Sequence, residues 1–164
     1  MRPKRIELGP GQESVWDYPR PPLIENSKKH IEVIFNNVVI ADTRNAKRII
    51  ETSSPPVYYI PPKDIKRKYL IKTMKNTFCE WKGIASHYTV VVGNKRAENA
   101  AWFYPEPTTR YNSIKDYVVF YPQRMDACYV DDELVKPQPG FFYGGWITSD
   151  VVGPFKGEPG TENW

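Results

Sequence analysis

Cysteine and histidine are scarce in this chain: among 164 residues there are only Cys79 and Cys128, and only His30 and His87. The two cysteines stand far apart with no CxxC spacing, which excludes a disulfide framework and a structural zinc site, and a reducing interior is the expected setting. Long apolar runs are also missing. The N-terminal basic residues Arg2, Lys4 and Arg5 are followed by no hydrophobic stretch, so neither a secretory signal nor a membrane span is expected, and the cytoplasm is the expected location. Charge of either sign is modest. With 23 basic against 19 acidic residues the net charge is +4, which makes only a weak case for a polyanionic partner, and nucleic acid is not expected.

Proline, glycine and aromatic residues are plentiful instead. Sixteen prolines and ten glycines leave few windows long enough for a helix, so short strands are the natural element and a mainly β fold is expected. A chain of this size buries roughly 68–70% of its unfolded surface, enough for one domain without metal or disulfide. Residues 1–29 read as an extended Pro-rich arm pinned by Val15, Trp16 and Tyr18, residues 30–136 as the core β domain, and residues 137–164 as a Gly- and aromatic-rich tail wrapping it. Within the core, a hairpin is expected at His30–Phe35 and Val38–Ala41 around Asn36-Asn37. A short helix capped by Asp42 or Thr43 would carry Ala46, Ile49 and Ile50 on one stripe. Strands follow at Val57–Ile60, Tyr69–Thr73, Ile84–Val92, Asn99–Tyr104 and Tyr117–Tyr121, with a chain reversal at Lys75-Asn76, a helical turn at Ser113–Asp116, and a hairpin at Ala127–Val135 around Asp131-Asp132.

The densest chemistry lies in Thr77-Phe78-Cys79-Glu80-Trp81-Lys82-Gly83, where a thiol, an acid, an indole and an ammonium precede a glycine. A thiol reacts as thiolate; the cation of Lys82 favours that form and the carboxylate of Glu80 opposes it. On a regular strand Cys79 and Lys82 would face opposite ways, so they share a site only if Gly83 or a bulge re-aims the chain. Cys79 therefore reads either as a small buried apolar residue or as a nucleophile. His87 is the one histidine placed within a strand as a candidate base, and Asp126, Asp131, Asp132 and Glu133 read more simply as turn chemistry than as a cation site. No metal and no cofactor are expected. Tyr59, Trp81, Tyr88, Trp102 and Tyr104 fall on expected strands, and their stacking faces and polar tips suit a planar ligand, although a core would use the same residues. The basic residues between Lys63 and Lys75 read as a solvated face.

Five segments, Ile40–Thr43, Pro56–Pro61, Thr77–Gly83, Ala100–Pro105 and Val118–Tyr121, together resemble the bacterial domain-of-unknown-function family 427 from about His30 to Val135. The longer head and the Gly-Gly-Trp and Val-Gly-Pro-Phe-Lys-Gly tail resemble a cyanobacterial-type version. The resemblance implies two packed antiparallel sheets around a pocket, Mss4-like or β-tent-like, with one short helix. The family motif carries over at Cys79, Lys82 and Gly83, and these, with Tyr59 and Trp102, are the expected site residues. The family carries a nucleotidyltransferase-like label, but this chain has neither a DxD pair for two metals nor a glycine-rich phosphate loop. Three readings follow. The first is a small-molecule-binding domain lined by Tyr59, Trp81, Tyr88, Trp102 and Tyr104, with Lys82 as counter-charge and Gly83 admitting the ligand to the backbone. The others are a thiol enzyme with Cys79 as catalytic nucleophile, and a scaffold presenting the arm or tail to a protein partner.

Overall fold

Tight turns on residues that tolerate a left-handed backbone set the register of the main sheets. Asn36 and Asn37, at φ 48° and 64°, join strand Ile31–Phe35 to Val38–Thr43, and Asp131 and Asp132, at φ 47° and 67°, join Ala127–Val130 to Glu133–Leu134. Asn and Asp pay little for this geometry, and it matches the twist of the flanking strands. Gly93, at φ 59°, turns Gly83–Val92 back into Lys95–Phe103. The computed structural model of the chain describes residues 3–140 and 142–164; what the sequence suggests for Met1, Arg2 and Phe141 lies outside them.

Two four-stranded antiparallel sheets dominate. One runs Glu133–Leu134, Ala127–Val130, Ile31–Phe35, Val38–Thr43, and the other runs Val118–Phe120, Lys95–Phe103, Gly83–Val92, Leu70–Cys79. A third sheet pairs Leu23–Asn26 with Lys47–Glu51 and that with Ser54–Tyr59. The fold is mainly β. Alternation places the main core between the large sheets: Ile31, Val33 and Phe35 of the first are buried with Val90, Val92, Ala101 and Phe103 of the second. Each of the Ile, Val and Phe side chains among them stabilises the fold by roughly 1.5–3 kcal/mol relative to exposure. The head is pinned by Val15, Trp16 and Tyr18, which pack on Ile50 and Val151. Trp146 carries the tail into the main core, and the paired segments Lys136–Pro137 and Trp146–Ile147 close beside it.

Two expectations are corrected. The stretch read as a capped helix is strand Lys47–Glu51, because Ile49 packs with Tyr59 and Ala85 while its neighbour Ile50 packs with Val15 and Trp16. Burial of adjacent residues on opposite sides is what a strand does. Helical segments among the described residues are all 3₁₀; the longest, Thr109–Ile114, overlaps the expected turn at Ser113. Lys75-Asn76 does not reverse the chain: Leu70–Cys79 continues through it as one edge strand, with the register shifting between Lys72 and Asn76. Within the extended arm, Leu23–Asn26 is a strand that joins the third sheet.

The remaining charged clusters are structural. Asp131 accepts the backbone N–H of His30 at 2.7 Å, Asp126 pairs with Lys95 at 2.6 Å, and Glu133 accepts the N–H of Ser149 at 2.6 Å. His30, Glu32 and Asp42 converge, but His30 Nε2 already bonds Asp42 at 2.7 Å and its Nδ1 faces Glu32 at 3.5 Å, so the ring is spent on its carboxylates. Among the described residues no helix is long and apolar enough to cross a membrane.

Candidate functional site

The dense motif forms the end of a hairpin. Cys79 closes one strand, Gly83 opens the next and pairs with it, and Glu80, Trp81 and Lys82 make the turn between them. Strand alternation therefore does not govern Lys82. Thr108 fixes the turn from outside: its N–H donates to the Lys82 carbonyl at 3.0 Å and its hydroxyl donates to the Trp81 carbonyl at 2.6 Å. Gly83 sits at φ 106°, which an L side chain adopts only under strain, although a Cβ there would meet nothing nearer than the Glu106 carbonyl at 3.5 Å. Gly83→Ala should therefore destabilise the fold by about 1–3 kcal/mol through backbone strain alone, read as a lower urea midpoint at constant m-value.

Held this way, the Lys82 side chain enters a cavity of about 260 Å³ bounded by the three-stranded sheet, the Leu70–Cys79 and Lys95–Phe103 strands, and the tail. Ile49, Val57 and Tyr59 line one side, and Thr77, Cys79, Trp102 and Tyr104 the other. Tyr121 packs on Trp102, ring centroids 4.6 Å apart. The tail completes the wall. Gly144 is pressed against the Trp102 indole so closely that a Cβ would come within 2.3 Å of it, so this crossing requires glycine.

The electrostatics are one-sided. Arg20, Lys82 and Lys156 line the cavity against a single carboxylate, Glu51, and Arg20 Nε engages Glu51 at 3.3 Å. Lys82 is 9% exposed, and among the described residues no carboxylate lies within 4.0 Å of it; its ammonium stands 5.9 Å from the Tyr104 ring centroid. Burial alone would lower its pKa, but Tyr104, Cys79 and Glu51 outweigh that and hold it above the ordinary value, so Lys82 is a cation at neutral pH. The phenols stay neutral. Burial raises Tyr59, against hydrogen bonds from Trp102 and Tyr104; burial also raises Tyr104, reinforced by Tyr59, and raises Tyr121.

Cys79 is half-buried in this wall and lines the cavity with Lys82, whereas Cys128 is 2% exposed in the main core and burial pushes its thiol far up. Of the residues expected to bind a ligand, Tyr59, Lys82, Trp102 and Tyr104 meet here with Cys79. Trp81, Gly83 and Tyr88 do not line the cavity. Trp81 packs behind it against the Tyr59 cluster, Gly83 faces the Glu106–Thr108 loop, and Tyr88 stacks on Phe103, centroids 4.5 Å apart, beside the main core. His87, the candidate base, does not line the cavity either. It is 1% exposed, and burial, followed by Lys75 and Arg124, pulls its imidazole down to about 4. Arg20, Gln138, Tyr143 and Lys156 are lining residues the sequence did not single out, and Thr77 and Gly144 stand in quoted motifs without an expected role in binding. The doublet Gly144-Gly145 beside Trp146 is the one local signal that the tail makes a close approach there.

Fold and cavity together define a small antiparallel β protein with an aromatic, positively charged cavity closed by its own tail. Residues 23–131 match the family described as Domain of unknown function (DUF427), and the chain belongs to that family. The description names no activity. No curated protein matches the chain. The matched span supplies the inner walls of the cavity, whereas Arg20, Gln138, Phe142, Tyr143, Gly144 and Lys156 lie outside it.

Proposed function

We propose that the chain is a cytoplasmic small-molecule-binding domain whose aromatic cavity takes a planar, anionic ligand with Lys82 as its counter-charge. Its two large sheets are taken as the Mss4-like, β-tent arrangement. One observation carries the reading: a buried ammonium faces an aromatic cavity with no carboxylate within 4.0 Å among the described residues. Burying a cation without an ionic partner is costly unless a ligand's charge completes the site. The test is native against denaturing mass spectrometry of freshly purified protein. Extra mass lost on denaturation supports the reading and identifies the ligand; a bare chain mass counts against tight binding.

A second reading, a thiol enzyme with Cys79 as nucleophile, is favoured by the placement of Cys79 in the same cavity wall as the Lys82 cation. His87 is not its base, since His87 Nε2 bonds Thr77. Iodoacetamide with peptide mapping separates the thiols. Cys79 should alkylate in the native protein while Cys128 stays untouched until unfolding, and any ligand in the cavity should slow the reaction at Cys79. A Cys79 as unreactive as Cys128 in the native protein would remove it from an accessible cavity. Extra mass that survives denaturation and maps to Cys79 would favour the enzyme.

A further inference from the structure

His87 carries a hydrogen bond whose direction can be worked out. Its Nε2 lies 3.0 Å from Thr77 Oγ, and its Nδ1 is buried without a partner among the described residues. The ring is neutral over the physiological range, as burial and the nearby Lys75 and Arg124 charges keep it from protonating above about pH 4. One nitrogen therefore bears the single hydrogen. Placed on Nδ1, that hydrogen would be a buried donor with nothing to receive it, and orphaned buried N–H groups are rarer than bare acceptors. It belongs on Nε2, donating to Thr77 Oγ, and Nδ1 is the bare lone pair.

The consequence lies in the cavity. Thr77 shares a strand face with Cys79 and lines the same wall, and with His87 donating to its oxygen, its own hydroxyl hydrogen cannot point at His87. That hydrogen is free to donate into the cavity. Gln138 adds no free acceptor, since its amide donates to the Lys156 carbonyl and its carbonyl accepts the Gly145 N–H. Glu51 is engaged by Arg20. The groups offered to a ligand's charge are then led by the Thr77 hydroxyl and the Lys82 ammonium, with Lys156 and the Glu51-paired Arg20 as further cations.

We infer that the ligand carries an oxyanion group, a carboxylate, sulfonate or phosphate, received by the Thr77 hydroxyl and the Lys82 ammonium, with its aromatic body against Trp102 and Tyr121. His87 is the positioning residue that turns Thr77 into a donor. This rests on the cavity being a binding site, and it adds the ligand class and the second recognition group. Phe78 and Phe142 at the rim are 75% and 71% exposed, an apolar margin suited to the body of such an acid.

The test uses two fluorescent probes that share one ring system, 8-anilino-1-naphthalenesulfonate and the neutral N-phenyl-1-naphthylamine, with protection of Cys79 from iodoacetamide reporting the site. The sulfonate should bind at least tenfold more tightly than the neutral probe. Thr77→Val should weaken the sulfonate about tenfold and leave the neutral probe unchanged, and Thr77→Ser should restore it. ¹⁵N NMR of His87 should show the Nε2–H tautomer, a signature that loosened packing would not produce. An unchanged sulfonate preference in Thr77→Val, or an Nδ1–H tautomer, overturns the inference. If the neutral probe binds and protects as well as the sulfonate, acid recognition falls while the cavity stands as a binding site. If neither probe shields Cys79, both fall.

Discussion

Trp146→Ala should lower the stability of the protein by about 3–5 kcal/mol, measured as a fall in the urea midpoint at unchanged m-value. The side chain is fully buried among Tyr58, whose ring centroid is 5.4 Å away, and the residues of both large sheets. Truncation leaves a cavity that neighbours from several strands cannot close. It also removes the donor to the Phe120 carbonyl, which Trp146 Nε1 reaches at 3.1 Å, and the acceptor left unpaired accounts for roughly 1–3 kcal/mol of that loss. Set against a typical total of about 5–15 kcal/mol, this is a large fraction. Trp146→Phe, which keeps a ring, should cost markedly less. A change within about 0.5 kcal/mol would show the tail to be a peripheral strap. The result bears on function because Trp146 anchors the segment carrying Phe142, Tyr143 and Gly144 over the cavity. In the Ala variant Cys79 should therefore alkylate faster even while the protein remains folded.

Where the sequence could be read correctly, the signal was local. The paired Asn36-Asn37 and Asp131-Asp132 turns, and Gly93, fix hairpins through backbone preferences that no distant residue changes. Errors arose where tertiary contacts decided. Ala46, Ile49 and Ile50 mimic a helical stripe, yet Ile49 and Ile50 are buried against two different clusters. Leu70–Cys79 is an edge strand with Met74 98% exposed, and its polar stretch at Lys75-Asn76 looks like a turn because water faces it. Tyr88 shares the face of Val90 and Val92, so period-two alternation already placed it with the core rather than the ligand.

The candidate site divides the same way. Cys79 and Lys82 meet because the strand ends at Cys79, which puts Lys82 in a turn where alternation no longer applies. Tyr59 and Trp102 join them from strands of two sheets, with Tyr104 just past the end of the second, an assembly that an unpatterned list of aromatics only hints at. Arg20, Gln138 and Lys156 come from segments with no periodicity, and their arrival depends on Trp16 and Trp146 docking head and tail. Thr77 was inside the dense motif, but its partner His87 lies across the hairpin and only pairing register brings them together.

Lys82→Met should weaken binding of 8-anilino-1-naphthalenesulfonate about a hundredfold while leaving N-phenyl-1-naphthylamine unaffected. Met keeps most of the apolar stem and deletes the charge, so the packing against Tyr104 and the Thr108-tied turn is retained. At an effective dielectric of about 20, unit charges roughly 4 Å apart attract by about 4 kcal/mol, and a hundredfold loss corresponds to about 2.7 kcal/mol, the remainder being desolvation. The pH dependence follows from the charge state. Because the Lys82 pKa is raised above its ordinary 10.5, the cation persists through that value, and sulfonate affinity should be flat from roughly pH 6 to 9 and fall only in stronger alkali. A binding curve that improves as pH rises through 8 would mean a neutral amine is the active form, which is the opposite of a counter-charge. Lys82→Arg keeps the charge but spreads it over a planar group too broad for the same position, so it should recover only part of the affinity. If Lys82→Met binds the sulfonate as well as the wild type, the buried ammonium has no part in recognition, and Lys156 at the tail side is left as the cation that draws the acid in.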